Sequence, residues 1–182
     1  MNEILREFFN KVETGEIQIY NEFSLQHELG MFMRLYLPDK KVQFERNVSF
    51  FELNKNDFEK KEIDIAVFDT EGLDFVIELK YPRNGQVPES MYSFCKDICF
   101  LEQLVSSGFK SGYFVAVADD SLFYSGKPEG IYGLFRAGHP ISGVIGKPTG
   151  KKDTQVNIRG CYNASWESVS GNTKYCAIEV GS

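Results

Sequence analysis

The 182-residue chain is poor in histidine, with only His27 and His139, and neither stands in a ligand-spaced cluster such as HxxxH. Its four cysteines (Cys95, Cys99, Cys161, Cys176) include no CxxC pair, so they suggest neither a zinc site nor a disulfide framework, and they are read as reduced and buried. Positive charge is not in excess: 20 Lys+Arg against 26 Asp+Glu leave a net charge of −6, which excludes nucleic-acid binding by bulk charge and makes any such contact local. No apolar run approaches the roughly 18 residues of a membrane span. The opening MNEILREFF is acidic where a secretion signal would be basic, so the cytoplasm is the expected compartment and no membrane is a partner. Repeats, low-complexity tracts and long linkers are also missing, and residues 1–182 are expected to form one domain.

What is present has clear periodicity. Ile4, Leu5, Phe8, Phe9 and Val12 recur at helical spacing up to Gly15. A second helix is predicted from an N-cap at Ser24, with Leu25, Leu29, Phe32 and Tyr36 on one stripe, to a stop at Pro38. Residues 41–53, KEIDIAVFD and LDFVIELKY form a three-strand meander, the last two joined through Thr70-Glu71-Gly72. The longest helix is expected over 89–107, closed by Gly108, and GYFVAVADD (112–120) reads as a strand buried on both faces and parallel to a neighbour. Beyond Asp120, glycine and proline punctuate an irregular, β-rich extension in which IYGLF, QVNIRGCY and KYCAIEV are strand candidates. The fold class is therefore α/β (α+β), in the order helix-strand-strand-strand-helix-strand, with a mixed central sheet flanked by helices.

Alternate residues of a strand share a face, so Glu78 and Lys80 point one way while Phe75, Ile77 and Leu79 point the other. The preceding strand carries Asp64 within Ile63-Asp64-Ile65, where an apolar residue would be cheaper to bury. Adjacent strands lie roughly 4.8 Å apart, so a hairpin of this length can bring Asp64 and Glu78 to one point. Two carboxylates there require a cation, and oxygen ligands completed by water suit Mg²⁺ or Mn²⁺. Lys80 beside them could orient a water nucleophile and stabilise charge on a phosphate. Glu28, on the edge of the second helix's apolar stripe, is a candidate further acid.

Asp64 followed by Glu78-Leu79-Lys80, in that element order and with Glu28 on the first core helix, resembles the PD-(D/E)XK nuclease superfamily, the restriction-endonuclease-like fold. The stretches IELKYP, YSFCKDICFLEQL, GYFVAVADDSLFYSG and FRAGHPISG look like a group of uncharacterised bacterial proteins related to those nucleases. The likeness covers nearly the whole chain. It implies an endonuclease or phosphodiesterase in which Asp64 and Glu78 bind the metal, Lys80 assists the attacking water and Glu28 adds to metal binding. Ile63 stands where the motif's name has proline. Nucleic acid, DNA by expectation, is the implied partner, with a homodimer and a partner protein as further expectations.

Plainer readings stand beside these. Glu78 and Lys80 could be a surface ion pair, Asp64 a satisfied polar residue, and Glu28 a solvated helix-edge acid. The whole chain could be an inactive nuclease-fold module that works by protein-protein contact. Lys96 reads as an exposed helix charge, Asp119-Asp120 as a turn, and Phe50, Phe51 and Phe58 as core. Arg83, Lys147, Lys151 and Lys152 are the only loop cations that could meet backbone phosphates.

Overall fold

The molecule is built on a six-stranded mixed sheet, seen in a computed structural model that describes residues 1–83, 85–150 and 154–181. Helices α1 (Asn2–Glu13) and α2 (Glu22–Tyr36) precede strands β1 (Lys41–Asn47), β2 (Glu62–Phe68) and β3 (Leu73–Lys80). Helix α3 (Val87–Ser106) leads to β4 (Ser111–Ala118). The later chain adds α4 (Ile131–Arg136), β5 (Ile141–Gly146), β6 (Gln155–Tyr162), β7 (Trp166–Ser170) and β8 (Thr173–Gly181). The main sheet runs β1-β2-β3-β4-β8-β7, and β5-β6 form a separate antiparallel pair. Among the described residues only β3 and β4 are parallel, joined by the α3 crossover; the other pairs are antiparallel.

Both sheet faces are buried, and the period-two alternation of the strands shows how. On one face Val76, Phe114, Ala116 and Ala118 pack under α3 with Phe94, Ile98 and Leu101. On the other, Ile77, Leu79, Val115 and Val117 meet Leu5, Phe8, Leu25 and Leu29 of α1 and α2. Each such side chain taken fully from water contributes about 1.5–3 kcal/mol. Helix α2 comes close to β1 at Gly30, where the Phe44 ring leaves no room for a Cβ.

Several expectations are corrected. Asn21, not Ser24, caps α2: its side chain accepts from the Ser24 N–H at 2.8 Å while the Ser24 hydroxyl accepts from the Asn21 N–H at 3.0 Å, a reciprocal capping box. The first strand ends at Asn47 because Val48–Phe51 turn into a 3-10 helix. IYGLF is the heart of α4, since Ile131, Leu134 and Phe135 supply a helical stripe against the α3 core. Beyond Asp120 the chain is β-rich as expected, with QVNIRGCY as β6 and KYCAIEV within β8; β7 and β8 extend the main sheet and β5-β6 pack on α3. Cys95 and Cys176 are buried and all four thiols are free, yet Cys161 is exposed. Phe50 is 48% exposed, covered on one side by Arg46, with Phe51 and Phe58 half-buried. Among the described residues no helix is long and apolar enough to cross a membrane.

Candidate active site

The β2–β3 ladder stops at Ile65 opposite Ile77. One step further, at Asp64 and Glu78, the strands fork and side chains take over the backbone's hydrogen bonding. The Leu79 N–H donates to Asp64 Oδ2 at 2.7 Å, and the Asp64 N–H donates to Glu78 Oε1 at 3.3 Å. On the far side of β2, Glu45 of β1 has φ +50°, a left-handed conformation that costs a non-glycine residue about 1–2 kcal/mol and skips the pairing opposite Asp64. Gln26 of α2 bridges the distortion, donating to the Asp64 carbonyl at 2.8 Å and to Glu45 Oε1 at 2.6 Å.

Asp64, Glu78 and Lys80 thus share one locality, as the alternation on β3 predicts. Two further side chains complete it. Asp97 of α3 lies 3.0 Å from Lys60 Nζ and 3.2 Å from Lys80 Nζ. Lys60, in the loop before β2, also pairs with Glu78 and reaches Asp64 Oδ1 at 3.9 Å. Side-chain exposure falls from 27% at Lys60 and 15% at Asp64 to 2% at Asp97 and 0% at Glu78, so the cluster is recessed. Lys80 donates to the Leu79 carbonyl at 2.8 Å and stands 3.6 Å from Glu22, whose other oxygen accepts from the Tyr81 N–H at 3.1 Å.

Three interior carboxylates face two ammoniums. Burial pushes the Asp64 carboxyl up to about 6, against the pull of Lys60 and Lys80. Burial, followed by the charge of Asp64, holds Glu78 well above the ordinary carboxylate range, opposed by Lys60. Burial works against the charge on both lysines, yet Glu78, Asp97 and Asp64 raise Lys60, while Asp97, Glu22 and Asp64 raise Lys80.

Glu28 does not join this group. It is half-buried on α2, about 200° around the helix from Gln26, and forms no hydrogen bond or ion pair among the described residues; α2 contributes Glu22 and Gln26 instead. Lys96 pairs with Glu59 at 3.3 Å, Arg83 with Asp119 at 2.5 Å and Lys147 with Glu89 at 3.4 Å, while Lys151 and Lys152 lie outside the described residues. Asp120 caps a turn through the Leu122 N–H, and both histidines are exposed. Asp97 had a sequence signal: at three after Phe94 and four before Leu101 it sits on the buried stripe of α3. Lys60, beside Lys61 in a polar loop, had none.

The donor set suits a hard divalent cation in one respect: every acid is an oxygen donor, and acids outnumber ammoniums. Asp97 Oδ2 is buried without an aligned hydrogen-bond donor. Among the described residues no three Asp, Glu, His or Cys side chains converge to hold a metal, and the oxygens of Asp64 and Glu78 are engaged by the Leu79 N–H and by Lys60. Two clefts reach the cluster: one of about 130 Å³ bounded by Glu22, Phe23, Gln26, Glu45, Asp64 and Leu79, and one of about 290 Å³ on the Lys80 side. Compared with known proteins, the chain matches no family model, and no curated protein or solved structure is significantly similar to it.

Proposed function

We propose that the chain is a metal-dependent phosphodiesterase of PD-(D/E)XK type acting on nucleic acid, with DNA the expected polymer and the cytoplasm the expected compartment. The observation that carries this reading is the fork at which Asp64 and Glu78 leave the ladder together, with Lys80 beside them. A backbone distorted on both sides of one aspartate is a costly way to bury an acid that only had to be solvated. Mg²⁺ or Mn²⁺ held by Asp64 and Glu78 would supply Lewis-acid stabilisation of charge on the phosphate. Lys80, held between Asp97 and Glu22, orients the attacking water and donates to the phosphate oxygens. Gln26 fixes the Asp64 carbonyl and so the direction of its carboxylate.

The test is cleavage of supercoiled plasmid, single-stranded DNA and RNA with Mg²⁺ or Mn²⁺. Wild type should cut at least one polymer, and Asp64→Asn, Lys80→Ala or a chelator should stop it; an active Asp64→Asn enzyme sinks the reading.

A second reading has its own observation. The Lys60 ammonium sits among Glu78, Asp97 and Asp64 and already neutralises much of their charge, as in a nuclease-like fold retained for protein-protein contact without catalysis. Calorimetry separates the two: heat from Mn²⁺ binding that disappears in Asp64→Asn supports the catalytic reading, and its absence in wild type supports the module.

A further inference from the structure

One oxygen of each acid at the fork belongs to the backbone, and the other two face the same ammonium. Asp64 Oδ2 accepts from the Leu79 N–H at 2.7 Å and Glu78 Oε1 from the Asp64 N–H at 3.3 Å. Asp64 Oδ1 lies 3.9 Å from Lys60 Nζ, and Glu78 Oε2 is paired with it. Asp97 divides its oxygens between the two lysines, Oδ1 at 3.0 Å from Lys60 Nζ and Oδ2 at 3.2 Å from Lys80 Nζ. Three carboxylate oxygens, from β2, β3 and α3, therefore face Lys60 Nζ.

The same oxygens are the ones a divalent ion needs. A hard cation binds through carboxylate oxygens, and Mg²⁺ takes them at about 2.0–2.1 Å. Those of the fork stand at ammonium distances instead, and an ion that bonded Asp64 Oδ1 and Glu78 Oε2 would have to take both from Lys60. Two cations side by side in a recessed cleft repel strongly, because little water screens them.

The two ammoniums differ in how firmly they are held. Lys80 ends β3, stands in register with Ala116 of β4, and donates to the Leu79 carbonyl at 2.8 Å. Lys60 lies between the short 3-10 turn Lys55–Asp57 and β2, and its side chain, 27% exposed, is the most open of the cluster, against 17% for Lys80 and 0% for Glu78. An ammonium on a flexible four-carbon stem is rehydrated when it turns outward, whereas the buried carboxylates have no such exit.

We infer that Lys60 is a built-in counter-ion that gates the metal site: a divalent ion enters between Asp64 and Glu78 by displacing the Lys60 ammonium into solvent. The inference rests on the metal-dependent reading of the site and adds what controls its loading. Lys80 keeps its place between Asp97 and Glu22, so one ammonium of the two is exchanged. The site then loads only where the free ion outcompetes a lysine of the same chain.

Two measurements on the full chain test this, neither of them activity. Calorimetry with Mn²⁺ compares wild type with Lys60→Met and Lys60→Gln, which remove the charge and keep much of the stem. Both variants should bind the ion at least about tenfold more tightly. Acetylation of wild-type lysines at pH 7.5, read residue by residue by mass spectrometry, needs no variant and so does not depend on their folding. Saturating Mn²⁺ should speed acetylation of Lys60 at least about fivefold and leave its exposed neighbour Lys61 unchanged. Binding that appears only in the variants supports the gate in its strictest form. Mn²⁺ bound by wild type with Lys60 acetylated no faster, or bound no more tightly by the folded variants, overturns the inference and leaves the nuclease reading standing. No Mn²⁺ bound by wild type or by either folded variant removes the metal-dependent reading, and the gate with it.

Discussion

The β2–β3 hairpin carries an ionic cluster at each end, and the two differ in sign of effect. At the turn, Asp69 and Asp74 meet Lys40 and Lys110, two acids to two ammoniums near solvent. Asp69 also accepts from the Glu71 and Gly72 N–H groups, and both acids are held below the usual carboxylate range, first by their lysine hydrogen bonds. At the fork, three acids share two ammoniums in the interior, and Asp64 and Glu78 are pushed up. Unaligned oxygens do not separate the two, since Asp74 Oδ2 lacks an aligned donor as Asp97 Oδ2 does. Charge balance and burial separate them: the turn cluster pairs two acids with two ammoniums near solvent, and the fork leaves three interior acids to two ammoniums.

The comparison can be broken most severely by activity. Asp64→Asn and Glu78→Gln should each lower cleavage by at least about 100-fold, the order of loss when an electrostatic catalytic group is removed, while Asp69→Asn and Asp74→Asn leave it unchanged. A plasmid assay with circular dichroism as folding control reads both arms.

Stability gives the next contrast. Lys60→Met leaves three interior acids facing Lys80 alone and should cost about 3–5 kcal/mol in urea unfolding at neutral pH, with part regained on adding Mn²⁺. Lys110→Met, at a lysine whose side chain is 71% exposed, should cost less than about 1 kcal/mol. Similar losses for the two would erase the distinction.

The ends should also oppose each other in pH dependence. Asp64 titrates near 6 when folded and near 3.8 when unfolded, so between those values the folded form carries the extra proton and stability falls as pH rises. Asp69 and Asp74 are lowered on folding; their contribution is present above the unfolded value and is lost as pH falls below it. Asp64→Asn should flatten the fall between about pH 4 and 6, and Asp74→Asn should soften the loss below about pH 4. Urea midpoints across that range test both. The smallest effect is expected for Glu78→Gln, which brings the fork to two acids and two ammoniums and should move stability by less than about 1 kcal/mol even as it removes cleavage.

Strand alternation made Glu78 and Lys80 legible as a pair, and the short hairpin placed Asp64 beside them. The same local logic misplaced the helical contribution. Glu28 and Glu22 both border the apolar stripe of α2, and which border meets the end of β3 depends on how the helix lies on the sheet, a tertiary fact that no i, i+4 pattern encodes. Asp97 could have been found as an acid on a buried stripe. Lys60 could not, because its partners come from β2, β3 and α3 and its neighbours in sequence resemble any solvated loop. IYGLF failed as a strand because five residues with aromatic and branched side chains suit either element, and the contact with α3 decided.

The position of β8 has a consequence for synthesis. In the sheet, β8 lies against the whole length of β4, from Ser111 opposite Gly181 to Ala118 opposite Lys174. A nascent chain that has emerged from the ribosome only as far as β4 already holds every residue of the fork, yet the strand beside β3 still lacks its second neighbour. Some sixty more residues must follow before the partner arrives, and contacts so distant in sequence form slowly. Translation itself therefore supplies the second neighbour of β4 only when nearly all of the described chain has been made.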